Sequence, residues 1–233
     1  MRIGVSVVMP AWNAERTIAN AINSILNQTF LDWELIIVDD GSEDNTLRVV
    51  NQFLGDMRIR VIKKVHTGLV DSRNRGIQET KADIILTQDA DDLSMPDRIE
   101  KCLEAIRGKD IVYHGAYLNM WDKQNNCIGR KYLPAKPFNR HQLLQGQYIN
   151  GWPMFRKHVW QKKPFRMETQ FAYDWMQYID WAFSGFTFKA LDVGLYEYVR
   201  HENSASIQFE KDGRRQQSFE KIKEIMKNEY AQS

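Results

Sequence analysis

Residues 83–92 read DIILTQDADD, a short apolar run that stops in three carboxylates, Asp89, Asp91 and Asp92. Like charges this close repel one another, so the pattern calls for a solvated turn or for a cation among them. The apolar run has the length of a buried strand. The same signature recurs upstream, where VSVVM (5–9) runs into PAWN and ELIIV (34–38) runs into DDGS. Helical spacing fills the gaps. A helix over roughly 14–27 carries Ile18, Ile22, Ile25 and Leu26 on one face, and the next carries Leu47, Val50 and Leu54. IRVIK (59–63) predicts a third strand, Gly68 to Gly76 leads into a short helix, and IVYH (111–114) predicts a fifth strand. Pro96 falls at the first turn of a helix that would bury Ile99, Leu103 and Ile106.

Strand–helix alternation of this kind predicts an α/β fold, a mostly parallel sheet flanked by helices on both faces. Ligands of such sheets bind beyond the carboxyl ends of the strands. PAWN, DDGS and QDADD all follow strands, so they converge on one rim. The second half is less regular and aromatic-rich (NGWPMF, FAYDWMQYIDWAF, SGFTFKAL), with no linker marking an independent domain. The expected division is 1–112 for the ligand-binding half and 113–206 for a smaller lobe packed on the sheet. Residues 207–233 form an amphipathic C-terminal helix through Phe219, Ile222, Ile225 and Met226.

The 233 residues, 43% hydrophobic and 12% aromatic, suffice for a substantial core. With 32 basic against 30 acidic residues, the formal charge of +2 gives no strong nucleic-acid signal. Basic aromatic stretches (RKYLPAKPFNRH, FRKHVWQKKPFR) would suit either an anionic partner or plain solvated surface. Cys102 and Cys127 lack the paired spacing of a zinc site and read as free thiols in a reducing compartment, with one disulfide as the alternative. No apolar run is long enough to cross a bilayer, and the start lacks a signal-peptide core. A soluble, cytoplasmic protein is expected, with peripheral membrane contact left open.

Asp89 and Asp91 are one residue apart, so on extended backbone they leave the same face. Two hard oxygen donors on one side suit Mg²⁺ or Mn²⁺. Asp92 and Asp97 read instead as an acidic turn capping the next helix. Asp39 and Asp40 divide between a turn and a hydrogen bond to a nucleoside. Arg73 and Arg75, near a helix start, could meet phosphate or only solvent. No G-x-G-x-x-G, Walker A, nucleophile elbow or zinc-protease motif occurs, which argues against dehydrogenases and P-loop enzymes.

Together these stretches resemble a known family. Residues 5–46, VSVVMPAWNAERTIANAINSILNQTFLDWELIIVDDGSEDNT, resemble the N-terminal signature of family 2 glycosyltransferases, which have the GT-A (Rossmann-like) fold. HTGLVDSRNRGIQETKADIILTQDADDLSMPDRIE continues it, SRNRG matching A-R-N-x-G and QDADD matching D-x-D-D. The resemblance implies an inverting hexosyltransferase that binds a nucleotide-sugar, a UDP-sugar above all, with Mn²⁺ or Mg²⁺. Its acceptor would be a hydroxyl, first of all on a glycan.

The resemblance also implies roles. Pro10, Ala11 and Trp12 would line the nucleobase pocket, with Trp12 stacking on the base, and Asp40 would contact the base. Gly68, Arg73, Asp89 and Ala90 would bind the nucleotide-sugar, and Asp91 would be the direct metal ligand. FAYDWMQYIDWA resembles the E-D-x-x-L helix that carries the catalytic base. Asp174 falls on its Asp, while Tyr173 replaces the usual Glu; Asp180 is the fallback, though it reads first as a solvated helix residue. YVRHENSAS resembles Y-R-x-H-x-x-S-x-S, which puts His201 on the diphosphate or metal and Ser204 and Ser206 over the nucleotide. Val199 and Arg200 are transposed relative to that pattern. NGWPMFRKHVW resembles the segment running into M-F-R-R-x-V-F, and Trp152 within it is the candidate to stack on acceptor sugar, ahead of Trp175 and Trp181. The rival readings are a nucleotidyltransferase, whose Gly-rich loop and Lys are missing from PAWNAERT, and a catalytically silent nucleotide-sugar binder. Transfer to a modified nucleic-acid base is a further alternative.

Overall fold

The computed structural model describes residues 3–121, 127–149, 152–169, 172–200 and 214–230. The first half is β1 (Val5–Ala11), α1 (Ile18–Leu26), β2 (Trp33–Asp39), α2 (Thr46–Asn51), β3 (Ile59–Lys63), α3 (Leu69–Gln78) and β4 (Ile84–Thr87). A two-residue strand β5 (Leu93–Ser94) and α4 (Arg98–Ala105) follow. The second half is β6 (Ile111–Trp121), β7 (Cys127–Leu133), α5 (Arg140–Leu143), β8 (Met154–Arg156), α6 (Lys157–Lys162), α7 (Tyr173–Phe183), β9 (Phe188–Arg200) and α8 (Arg214–Glu229).

Among the described residues the strands form one sheet in the order β3-β2-β1-β4-β8-β6-β9-β5, with β7 on β6. β3, β2, β1 and β4 are parallel, as are β6 and β9; β8 runs antiparallel to both β4 and β6 and joins the two parallel sections. β1 and β2 are buried along their whole length, which is why they read as unbroken apolar runs. Successive residues feed opposite faces. Val7 and Met9 join the core under α1, α2 and α4, while Val8 joins the core under α3, α6, α7 and α8.

Several expected boundaries move. Residues 14–17 precede α1 and are occupied in lacing the rim: Ala14 N donates to Thr46 Oγ1 (2.7 Å), and Glu15 Oε2 accepts from Asn45 N (3.0 Å). Pro96 lies two residues ahead of α4, and Leu54 falls beyond α2. The expected strand 111–114 runs on to Trp121, carried by pairing with β9 and β7.

The aromatics of α7 are core. Trp175 and Trp181 are buried, and their indole N–H groups donate to the carbonyls of Leu143 (2.7 Å) and Lys163 (3.0 Å). Neither is a platform for sugar. Asp180 is no solvated helix residue: it is buried and takes two hydrogen bonds from the Arg166 guanidinium, both 2.7 Å. Arg166 also binds Glu229 of α8 (2.6 Å), so one cation ties α7 to α8. Cys102 is a free, buried thiol, pushed up by burial to about 12. No helix among the described residues is long and apolar enough to cross a membrane.

Gly76 sits where α3 crosses β1 and β2. A Cβ there would overlap Val8 Cγ1 and lie 3.0 Å from Val38 Cγ2. Gly76→Ala should destabilise the fold by about 1–3 kcal/mol through overpacking. A urea midpoint equal to wild type would show that the contact relaxes freely.

Candidate active site

At the end of β1, Trp12 is 53% exposed and its ring stacks on His66, with centroids 4.5 Å apart. Asp40, just past β2, is buried. Its carboxylate accepts from Thr67 N (3.0 Å), Gly68 N (2.9 Å) and Lys64 Nζ, with His66 Nδ1 at 2.9 Å. Burial alone would raise the Asp40 carboxyl, but the Lys64 ammonium and the two backbone N–H groups hold it below the usual range. Asp40 therefore fixes the 64–68 loop beside Trp12, and Gly68 enters α3 at φ 102°, a conformation that favours glycine.

The QDADD turn separates its acids by environment. Asp89 receives the Arg73 guanidinium and the Trp152 indole N–H, one on each oxygen. Burial pushes the Asp89 carboxyl up; Arg73 opposes that, and the neighbouring Asp91 adds to it. Asp92 was expected to be an exposed turn residue but is fully buried. It accepts from Tyr196 Oη (2.8 Å) and Val199 N (2.8 Å), binding the turn to β9. Burial drives its carboxyl well above the ordinary value, and Asp91 and Asp89 push the same way. Asp97 likewise caps nothing with its side chain and pairs with Lys101. Asp91 is half-buried and stands in sequence between Asp89 and Asp92.

Beneath the turn lies Arg98, which sequence reading passed over. It is fully buried and donates to Gln88 Oε1 (2.8 Å), Ser94 Oγ (2.9 Å), Thr87 O (3.2 Å), Trp152 O (2.7 Å) and His114 Nε2 (3.0 Å). Nothing in MPDRIE distinguishes it from a surface arginine at a helix start. Arg98 fixes the Trp152 backbone, and the Trp152 ring stacks on Tyr173 (5.5 Å, 14°) with the Arg73 guanidinium 4.0 Å from its centroid. Trp152 thus joins the Asp89 side of the site to the start of α7.

The turn into α7 is strained. Ala172 adopts a left-handed conformation (φ 55°, ψ 25°) and offers no cap, a geometry that costs a non-glycine residue about 1–2 kcal/mol. Asp174 stands in the first turn, half-buried, and accepts a hydrogen bond from Gln147 Nε2. Burial raises its carboxyl; the Trp175 N–H, the Gln147 amide and Arg73 work against that rise.

The structure brings Arg73, Asp89, Trp152 and Asp174 together. Pro10, Ala11, Trp12, Asp40 and Gly68 form a neighbouring part of the rim, with Ala90 inside the acidic turn. Arg75 stands apart, paired with Glu79. His201, Ser204 and Ser206 lie outside the described residues. Among the described residues no three His, Cys, Asp or Glu groups are arranged to hold a metal.

The sequence profile of Glycosyl transferase family 2 matches residues 6–195. This chain belongs to that family. EpsE of Bacillus subtilis is 33% identical to this family 2 glycosyltransferase over 215 residues, covering 86% of the chain and 74% of EpsE. The S. aureus TarS 1–349 structure in complex with UDP-GlcNAc has a TM-score of 0.69 at 18% identity, over 86% of this chain and 60% of that one. The mannosyltransferase PcManGT from Pyrobaculum calidifontis, in complex with GDP-Man and Mn²⁺, gives 0.65 at 15% identity, over 92% and 61%. Both likenesses establish the fold, a mostly parallel α/β sheet of the GT-A kind. The chain spans only 30% of the length of a chondroitin synthase from Escherichia coli and 21% of one from Pasteurella multocida, each 30% identical to it.

His114, fully buried beside Arg98, is pushed down by burial to about 3. An unfolded histidine titrates near 6.5, so between the two values the unfolded chain binds the extra proton. The stabilisation is complete above about pH 6.5 and is lost as pH falls toward 3, at up to about 1.4 kcal/mol per unit. His114→Gln removes this dependence. The stability gap between wild type and variant should shift by about 2–3 kcal/mol against wild type from pH 7.5 to 4.5. Parallel stability–pH curves would refute the assignment.

Proposed function

We propose that this family 2 glycosyltransferase is an inverting hexosyltransferase that takes a UDP-sugar as donor and a glycan hydroxyl as acceptor. One observation carries the reading. The donor-side carboxylate Asp89 and the α7 carboxylate Asp174 belong to one packed unit, joined through Arg73, Trp152 and Tyr173. The replacement of the usual Glu by Tyr173 fits this unit, since the ring stacks on Trp152.

Trp12, supported by His66, offers the base a stacking face, and the loop that Asp40 fixes forms the pocket edge. The acidic turn suits a divalent cation. Asp91 raises both neighbouring carboxyls, a repulsion that Mn²⁺ or Mg²⁺ on Asp91, with His201 as the second candidate ligand, would relieve. Such an ion would supply charge neutralisation for the diphosphate.

Asp174 acts as general base. It takes the proton of the acceptor hydroxyl as that oxygen bonds to the anomeric carbon. The bond from this carbon to the diphosphate oxygen breaks on the opposite side, its electron pair leaves with UDP, and the configuration inverts. A carboxylate that burial inclines toward protonation is suited to collect that proton.

Asp174→Asn should cut kcat about 10²–10⁴-fold with the Kd for UDP unchanged; turnover near wild type would move the base elsewhere. Asp91→Ala should abolish metal-dependent turnover and the strengthening of UDP binding by Mn²⁺. Full wild-type activity in excess chelator would end the metal assignment.

A further inference from the structure

Gln147 lies on the stretch between α5 and β8. Its side chain is exposed, yet its amide reaches across to Asp174 Oδ2. The loop presenting it is anchored. Tyr148, the next residue, is buried; its hydroxyl accepts from Asn139 N (2.6 Å) and donates to Asn139 O (3.0 Å). On the other side Leu143 O takes the Trp175 indole N–H (2.7 Å), which docks the same segment on α7. Asp174 is equally constrained, following directly on the left-handed Ala172 and on Tyr173, whose ring is stacked on Trp152. Two fixed backbones therefore meet through one amide and one carboxylate.

We propose that Gln147 is the positioning residue of the base: its amide fixes the rotation of the Asp174 carboxylate, keeps it ionised between turnovers and presents Oδ1 to the acceptor hydroxyl. This rests on Asp174 being the base. An ionised carboxylate accepts at both oxygens, so a donor on Oδ2 favours the charged form and directs the incoming proton to Oδ1. After proton transfer Oδ2 is the carbonyl of the acid and still accepts the amide, so the contact survives the step. The other charged or titratable groups facing Asp174 are Arg73 from α3 and Tyr173 and Tyr178 from α7. Burial works against the charge on Arg73 and the Asp89 carboxylate in contact with it favours that charge, while burial drives both tyrosines well above their ordinary range. None of these three changes charge in the acid range; the donor-side carboxyls of Asp89 and Asp92, which burial also pushes up, do, so the Asp174 carbon signal and not the acid limb alone identifies the group.

The test is Gln147→Met, which keeps length and removes the donor at an exposed position, with Gln147→Asn as the partial replacement. The Asp174 carboxyl carbon, identified as the NMR signal missing from Asp174→Asn, is titrated in each protein without substrate. Loss of the amide should raise the midpoint by about half a pH unit or more, with Gln147→Asn between the two. With UDP-glucose, UDP-galactose and UDP-N-acetylglucosamine, the acid limb of kcat should move up by the same amount, and donor KM should stay within about twofold. Equal midpoints in wild type and Gln147→Met overturn the proposal, as does a fall in kcat of equal size at every pH. If the midpoint moves but Asp174→Asn turns over like wild type, the amide contact is real. The base assignment then fails, and the proposal with it.

Discussion

A cation buried with no carboxylate in direct contact among the described residues underlies this site. Arg98 gives its donors to neutral acceptors: two backbone carbonyls, an amide oxygen, a hydroxyl and an imidazole nitrogen. Burial lowers its pKa; the Tyr196 ring, whose centroid is 4.5 Å from the guanidinium, and the carboxylates Asp89 and Asp92 work the other way. Moving such a charge out of water costs several kcal/mol unless every donor is used. The acceptors come from the end of β4, from β5, from β6 and from the residue two before β8, so satisfying Arg98 sets the distances among these elements. The acidic turn and Trp152 both hang from it.

The first half of the chain was legible chiefly because β1 and β2 are buried on both faces. VSVVM and ELIIV have no polar side to blur the pattern, and β3 matches IRVIK end to end. β6 was read short because its outer part, GAYLNMW, is held by pairing with β9 and β7, and long-range pairing leaves no local mark. Asp180 and Asp92 were misread for a related reason. A carboxylate buried by a partner distant in sequence, Arg166 or Tyr196, looks from its neighbours like any solvated acid.

The roles of the rim acids follow a single physical rule. Three of these carboxylates find donors where they sit: Asp40 a loop of N–H groups and Lys64, Asp89 a guanidinium and an indole, Asp92 a phenol and a strand amide. Spacing in the sequence placed these acids after strands, but it could not assign their partners. Arg73 was visible in the SRNRG motif, whereas Gln147 carried no signal at all, since an exposed glutamine ahead of a tyrosine is ordinary surface until the fold places Asp174 opposite.

The two ends of α7 are held by different partners. At the front, Tyr173 lies against Trp152; two turns on, Asp180 is gripped by Arg166, which also grips α8. A helix pinned at both ends cannot slide along its axis, because any translation would break an aromatic stack or strip a buried acid of its cation. The carboxylate of Asp174 is thus a stationary point in the molecule. Accommodation of acceptors of different size then falls to the surrounding chain, so acceptor range among related sequences should track the lengths of the segments flanking α7 rather than the helix itself.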